Sequence, residues 1–120
     1  MYGAILGDMV GAPYEYDMSE KRKDFPMWID SSRKTDDTVM TIAVAEALLD
    51  TRRKSNAKIK KALIKSMKKY GELYPYEGYG TRFSWWLKSN KNIYIKKYVI
   101  DNLAMTYLKL VMKLDLRIIM

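Results

Sequence analysis

The sequence has 120 residues, of which 48% are hydrophobic, and a formal net charge of +8. This length is typical of one domain with enough apolar side chains for a core. The absence of cysteine and histidine excludes disulfides, thiol nucleophiles, Ser-His-Asp catalysis and zinc sites made of Cys or His. A metal bound by the remaining oxygen ligands would be a hard cation such as Mg²⁺, Mn²⁺ or Ca²⁺.

The N-terminal segment is apolar but includes Asp8 and has no leading positive charge. Nowhere does an uninterrupted apolar run approach the ~18 residues of a membrane span. These features predict a cytoplasmic protein with neither a signal peptide nor a transmembrane helix.

Charge is divided unevenly along the chain. Residues 1–50 contain five Lys/Arg against ten Asp/Glu, a balance of −5, and residues 51–120 contain seventeen against four, a balance of +13. The basic half is interpreted first as a lysine-rich face in contact with solvent. The alternative is a surface that attracts an anionic partner, although nucleic acid is disfavoured because lysine dominates and no stacking platform is evident.

Two helices and a loop are predicted in the first fifty residues. Residues 2–11 form a short apolar helix whose Gly3, Gly7 and Gly11 share one face, which indicates close approach of a backbone or a ligand. Residues 14–35 show no periodicity and are predicted to form a long loop, a common setting for binding elements and lids. Residues 36–50 are almost continuously apolar and predict a buried helix.

The second half begins with the clearest amphipathic helix, at 55–71, for which Ser55 is the expected N-cap and Gly71 the expected end. A Tyr/Gly/Pro loop then leads to a short aromatic helix within 72–88. A further helix is predicted at about 97–113. The pattern is all-α, without repeats and without alternating strands and helices.

Asp36 and Asp37 open the 36–50 helix directly after Thr35. A Thr or Asp N-cap and an acid in the first turn satisfy helix-terminal N–H groups and the helix dipole. Adjacent carboxylates also repel one another, and a divalent cation would relieve that repulsion. Both interpretations, helix cap and metal ligands, remain open from the residues alone.

Three segments in this order resemble the N-terminal part of the ADP-ribosylglycohydrolase family. They are GAILGDMVGAPYE at 3–15, TDDT at 35–38 and YPYEGYGTRFSWWL at 74–87. The resemblance covers roughly residues 1–90, and residues 91–120 diverge. It implies an all-α orthogonal helical bundle, here a single partial domain over 1–120.

The resemblance also implies a two-metal Mg²⁺ or Mn²⁺ site that removes ADP-ribose from modified proteins or O-linked conjugates. By this match the metal ligands are Thr35, Asp36 and Asp37. Glu15 and Asp37 are the expected catalytic residues, and Asp8 supports the site. The expected substrate contacts are Glu15, Gly78, Tyr79 and Gly80.

This sequence departs from the family in length, in the metal site and in a Gly-rich substrate loop, which is expected soon after residue 90 and is absent. Family members are considerably longer and complete the metal site with a second Asp-x-Asp-Thr/Ser motif, which these 120 residues lack. We therefore expect at most a half-site and a truncated or inactive form, with self-association as one way to complete the fold. The alternatives are a non-catalytic helical module whose basic half binds an anionic partner, and a remnant without a selected function.

Overall fold

The computed structural model describes residues 1–16 and 23–89, and all regular structure in these ranges is helical. The described helices are α1 (Tyr2–Gly11), α2 (Asp36–Asp50), α3 (Asn56–Leu73) and α4 (Thr81–Lys88), with a 3₁₀ turn at Ala12–Tyr14. The predicted all-α class is confirmed. The helix expected at 97–113 lies outside the described residues.

Helix α2 is the centre of the fold. It begins at the predicted residue because Thr35 adopts an extended backbone and its side chain accepts the N–H of Asp37. Seven of its fifteen residues are buried, which agrees with the predicted burial. The buried residues of α2 are Thr38, Val39, Thr41, Ala43, Val44, Ala45 and Ala47.

Helices α3 and α4 cover α2 with two apolar clusters. In the first, Val44 and Ala47 pack against Leu63, whose side chain is almost fully buried. In the second, Ala43 packs with Met67 of α3 and Trp86 of α4. The apolar face of the amphipathic helix α3 therefore points into the core, and removal of this apolar surface from water is the main stabilising contribution.

Gly71 was expected to end α3, and that expectation is wrong. The helix continues to Leu73, and Gly71 is buried within it. A Cβ atom at this position would lie 2.8 Å from both Cδ atoms of Leu87. The glycine is thus explained by the close packing of α3 on α4. Ser55 occupies the N-cap position but makes no capping side-chain hydrogen bond.

Helix α1 lies at the edge of the fold, and none of its ten residues is buried. The close approach predicted for its glycine face is not found within the described part of the chain. No atom there lies within 4 Å of the Cβ positions of Gly3, Gly7 or Gly11. In the ranges 1–16 and 23–89, no helix has the length and apolar content needed to cross a bilayer.

The described parts of the loop predicted at 14–35 are irregular after the 3₁₀ turn; residues 17–22 lie outside them. Its two sides meet where the Tyr14 hydroxyl donates to the Pro26 carbonyl oxygen at 2.9 Å. The rings of Tyr14 and Phe25 also pack edge to face, with centroids 5.1 Å apart. These contacts attach Tyr14, the residue before Glu15, to residues 25 and 26 of the same loop.

Candidate functional site

The first turn of α2 is attached to α1 through the carboxylate of Asp8. Thr35 donates its backbone N–H to Oδ2 at 2.8 Å and its hydroxyl to Oδ1 at 2.6 Å. Thr38 donates its backbone N–H and its hydroxyl to Oδ2, at 3.2 Å and 2.6 Å. Asp8 thus supplies acceptors for the N-terminal N–H groups that a helix cannot satisfy internally.

These hydrogen bonds determine the ionisation of Asp8. Burial acts to raise the pKa of its carboxyl, but the hydrogen bonds from Thr35 and Thr38 outweigh it, so the pKa is lower than the ordinary value. Asp8 is therefore a carboxylate at neutral pH and can only accept hydrogen bonds.

The hydroxyl of Thr35 is oriented by this arrangement. Because its single proton is donated to Asp8, it cannot donate to a ligand. One lone pair accepts the N–H of Asp37 at 3.3 Å. Among the described residues no further hydrogen bond uses the second lone pair, which leaves it available to an electron-poor partner such as a cation.

Asp36 lies between α1 and the segment that precedes α4. Its backbone N–H donates to the carbonyl oxygen of Glu77 at 2.8 Å. Its Oδ1 is 4.0 Å from the Cβ position of Gly78, whose φ of +91° favours glycine. Burial and then the charge of Asp37 raise the pKa of the Asp36 carboxyl, with smaller contributions from Glu15 and Asp8. A cation here would oppose each of these effects except burial.

Tyr79 brings a buried polar atom to the same region. Within residues 1–16 and 23–89, its hydroxyl has no hydrogen-bond partner. Burial and the charges of Glu77 and Asp36 raise the pKa of Tyr79 to about 12, so the phenol is neutral at physiological pH. A buried hydroxyl without a partner costs free energy, which makes it a candidate donor to a ligand.

The remaining predicted residues are more exposed. Glu15 follows the 3₁₀ turn, outside the helices, as expected for a loop residue. Its negative charge raises the pKa of the neighbouring Tyr16, which identifies Glu15 as part of an acidic surface with Asp36. Asp37 is exposed in the first turn of α2, and Gly80 is the exposed N-cap residue of α4.

The structure thus brings Thr35, Asp36 and Asp8 together, with Gly78 and Tyr79 beside Asp36. Two contributors were not predicted. Thr38 was recognised as part of the TDDT segment, but its role as a donor to Asp8 was missed. Glu77 acts through a main-chain carbonyl, for which the amino-acid sequence carries no signal.

The oxygen donors at the start of α2 are fewer than the six or more that Mg²⁺ or Ca²⁺ takes. Among the described residues, no three acidic side chains are grouped closely enough to hold a metal ion by themselves. The set at the start of α2 is one hydroxyl, oriented as an acceptor, and the carboxylates of Asp36 and Asp37. Oxygen ligands of this kind suit Mg²⁺ or Mn²⁺, so the residues fit such an ion as a partial ligand set.

A family model described as ADP-ribosylglycohydrolase matches residues 1–104. The match includes all the candidate site residues and extends beyond α4. No curated protein and no solved structure matches the chain.

Proposed function

The chain belongs to the ADP-ribosylglycohydrolase family, and on that premise we propose that the start of α2 binds an ADP-ribose-linked substrate together with Mg²⁺ or Mn²⁺. The observation that supports this proposal is the orientation of the Thr35 hydroxyl by Asp8 at 2.6 Å. A helix cap alone does not need a carboxylate from another helix to take the proton of the capping hydroxyl.

Three residues would hold the ion: Thr35 through its hydroxyl oxygen, and Asp36 and Asp37 through their carboxylates. When bound, the ion supplies positive charge that orients the ribose hydroxyls and polarises the bond to be broken. The protein contributes the rigid start of α2, attached to Asp8 on one side and to Glu77 on the other.

Substrate contacts are proposed for the segment before α4 and for the loop after α1. Gly78 leaves room beside Asp36 because it has no side chain, and the neutral Tyr79 hydroxyl is a hydrogen-bond donor. Glu15 is exposed next to this region and is suited to contact the ribose or the attacking water. No membrane is involved in this proposal.

Hydrolysis of the glycosidic bond requires water to add at the anomeric carbon of the ribose as the bond to the protein side chain breaks. The water loses one proton, and the leaving side chain gains one. Carboxylates perform such transfers in other glycoside hydrolyses, where the transition state is oxocarbenium-like. Glu15 or Asp37 would accept the proton of the water at a carboxylate oxygen.

The ligand set in the 120 residues is small. Mg²⁺ takes six oxygen ligands, whereas the chain offers one hydroxyl and two carboxylates at the start of α2 and has no second Asp-x-Asp motif. We therefore propose weak cation binding and little hydrolysis by this chain alone.

The test is titration calorimetry of the purified chain with millimolar Mn²⁺, and then with ADP-ribose in the presence of Mn²⁺. We expect weak binding that Asp36→Asn or Asp37→Asn abolishes. Asp50→Asn is the matched control, because Asp50 is an exposed acid at the opposite end of α2. Binding that survives Asp36→Asn and Asp37→Asn would refute the ligand assignment, and its absence from the unmodified chain would refute the proposed metal site.

A further inference from the structure

We propose that the ion pair between Lys34 and Glu77 is a positioning pair, which fixes the segment 77–80 against the start of α2 and so sets the position of Asp36. This inference rests on the proposed function, because it concerns the same site. It adds Lys34 to the site and gives a role there to the side chain of Glu77, which so far contributed only its main-chain carbonyl.

The Lys34 ammonium contacts two side chains, those of Glu77 and Tyr74. The ammonium of Lys34 contacts Oε1 of Glu77, and the two side chains are 41% and 19% exposed. The same ammonium lies 4.8 Å from the centroid of the Tyr74 ring. Both contacts of Lys34 are therefore with the segment that leads to α4. Two simultaneous partners restrict the lysine more than a single surface ion pair would.

The backbone contact lies two residues further along. The carbonyl oxygen of Glu77 accepts the N–H of Asp36 at 2.8 Å. Glu77 thus binds the stretch 34–36 at two points, through its side chain and through its main chain. The Asp36 N–H is one of the helix-terminal donors that need an acceptor from outside the helix, so the ion pair protects a hydrogen bond that α2 requires.

The residues after Glu77 form one side of the site. Gly78 places its backbone beside Oδ1 of Asp36, and Tyr79 follows with its buried hydroxyl. A shift of Glu77 would displace both residues relative to the Asp36 carboxylate. The ion pair therefore acts on the site through Glu77, and neither of its side chains needs to touch the ligand.

A second ion pair in the same protein provides a matched control. Lys69 of α3 contacts Glu46 of α2 at 2.6 Å, with side chains 51% and 32% exposed. Glu46 also accepts the Ser66 hydroxyl at 2.7 Å. This pair connects two helices at a comparable level of exposure, and its contacts within the described ranges are with Ser66 and Tyr70 and not with the site residues. Removal of the Lys69–Glu46 pair therefore measures how the loss of an ion pair changes stability when the site is not affected.

The experiment is a pair of double-mutant cycles on the full chain. One cycle uses Lys34→Met, Glu77→Gln and the double variant, and the other uses Lys69→Met, Glu46→Gln and the double variant. Three quantities are measured: the thermal midpoint, the hydrogen-exchange protection of the Asp36 amide, and the Kd for Mn²⁺ alone.

For the Lys34–Glu77 cycle we expect each single variant to lower the protection of the Asp36 amide and to weaken Mn²⁺ binding by about three- to fivefold, the range for a partly exposed ion pair. The double variant should be no worse than the more severe single variant. In the Lys69–Glu46 cycle the thermal midpoint should fall by about as much as in the Lys34–Glu77 cycle. The hydrogen-exchange protection of the Asp36 amide and the Kd for Mn²⁺ should not change.

Unchanged protection of the Asp36 amide in Lys34→Met and Glu77→Gln would overturn the inference, as would an equal loss in the control cycle. The amide measurement needs no ligand. If the unmodified chain binds no Mn²⁺, the proposed metal site fails while exchange at Asp36 still decides whether the ion pair positions it.

Discussion

The carboxylate of Asp8 accepts two hydrogen bonds from Thr35, one from its backbone N–H at 2.8 Å and one from its hydroxyl at 2.6 Å. The Thr35 hydroxyl bonds to Oδ1 and the Thr35 N–H to Oδ2, so both oxygens of the carboxylate are used. Oδ2 also accepts the N–H and the hydroxyl of Thr38. A side chain that can only accept hydrogen bonds therefore faces donors alone, and this match of acceptor to donors holds α1 against α2.

Replacement of Asp8 by Asn should destabilise the protein. The amide group of Asn would face Thr35 or Thr38 with a donor where the protein needs an acceptor. We expect a loss of about 1–3 kcal/mol in the free energy of unfolding, the range for buried donors left without a partner. Chemical denaturation of Asp8→Asn against Asp50→Asn, which should be close to neutral, measures the effect. Equal stability of the two variants would contradict it.

Stability should also fall at acidic pH because of Asp8. Its pKa in the folded protein is below the value of the unfolded chain, so its contribution is present above the unfolded pKa of about 3.9 and is lost as pH falls through the folded pKa. Denaturation curves between pH 2 and pH 6, recorded with a chelator, should show a steeper decline for the unmodified chain than for Asp8→Asn. Parallel pH profiles would show that Asp8 has no such role.

The Tyr79 hydroxyl is expected to matter for ligand binding and to cost stability. Tyr79→Phe removes a buried hydroxyl that lacks a partner in the described residues and keeps the ring, which packs at 5.9 Å from the Phe83 ring. We expect stability unchanged or raised by up to about 1 kcal/mol, together with weaker binding of ADP-ribose in the presence of Mn²⁺. A clear loss of stability would instead indicate that the hydroxyl has a structural partner.

Gly71→Ala should destabilise the contact between α3 and α4. The added Cβ would meet both Cδ atoms of Leu87 at 2.8 Å and its Cγ at 3.1 Å. Rotation about the Cβ–Cγ bond of Leu87 leaves the Cγ contact in place, so the whole side chain has to shift. An overpacking cost of about 1–3 kcal/mol less the roughly 1 kcal/mol gained in helix propensity leaves a net loss of up to about 2 kcal/mol. In a Leu87→Ala background the same substitution should become stabilising. Thermal unfolding of the four chains measures the cycle, and a stabilising Gly71→Ala in the unmodified background would contradict the packing explanation.

The basic surface of α3 is predicted to bind nucleic acid weakly. Of Lys58, Lys61, Lys65, Lys68 and Lys69, the last two already contact Trp86, Ser89 or Glu46. About three phosphate contacts are then available, which corresponds to a slope of roughly −3 in log K against log salt. Fluorescence anisotropy with a labelled duplex should show no binding at ~0.2 M salt. Tight binding under that condition would support the alternative of an anionic-partner module.

How far the sequence predicts the structure depends on how local each signal is. The start of α2 was predicted because Thr35 and the apolar run after Asp37 are adjacent in the chain. Gly71 was misjudged because a glycine that ends a helix and a glycine that admits a neighbouring helix look the same locally. Gly71 admits a neighbouring helix, because the side chain of Leu87, sixteen residues away, packs against it.

The site shows the same limit. The resemblance named Asp8 and Thr35, and the structure shows how they meet. That no residue within 1–16 and 23–89 packs on the glycine face of α1 was not expected, since spacing alone does not show whether a face is in contact. Glu77 could not be found in advance because its acceptor is a main-chain oxygen, which every residue has. Its partner, the Asp36 N–H, lies forty-one residues earlier in the chain.

The way in which α1 is attached has a consequence for cooperativity. None of its ten residues is buried among the described residues, although Ile5, Met9 and Val10 are half-buried. Its detachment from the described part of the chain would therefore expose less apolar surface than unfolding of α2, α3 and α4, and would break the hydrogen bonds to Asp8. A transition of this kind has a small m-value and is little affected by denaturant. The α2–α3–α4 core and the α1 attachment would then be separate unfolding units. The site would be lost when the less stable of these two units unfolds. Most of the helical circular-dichroism signal would remain at that point.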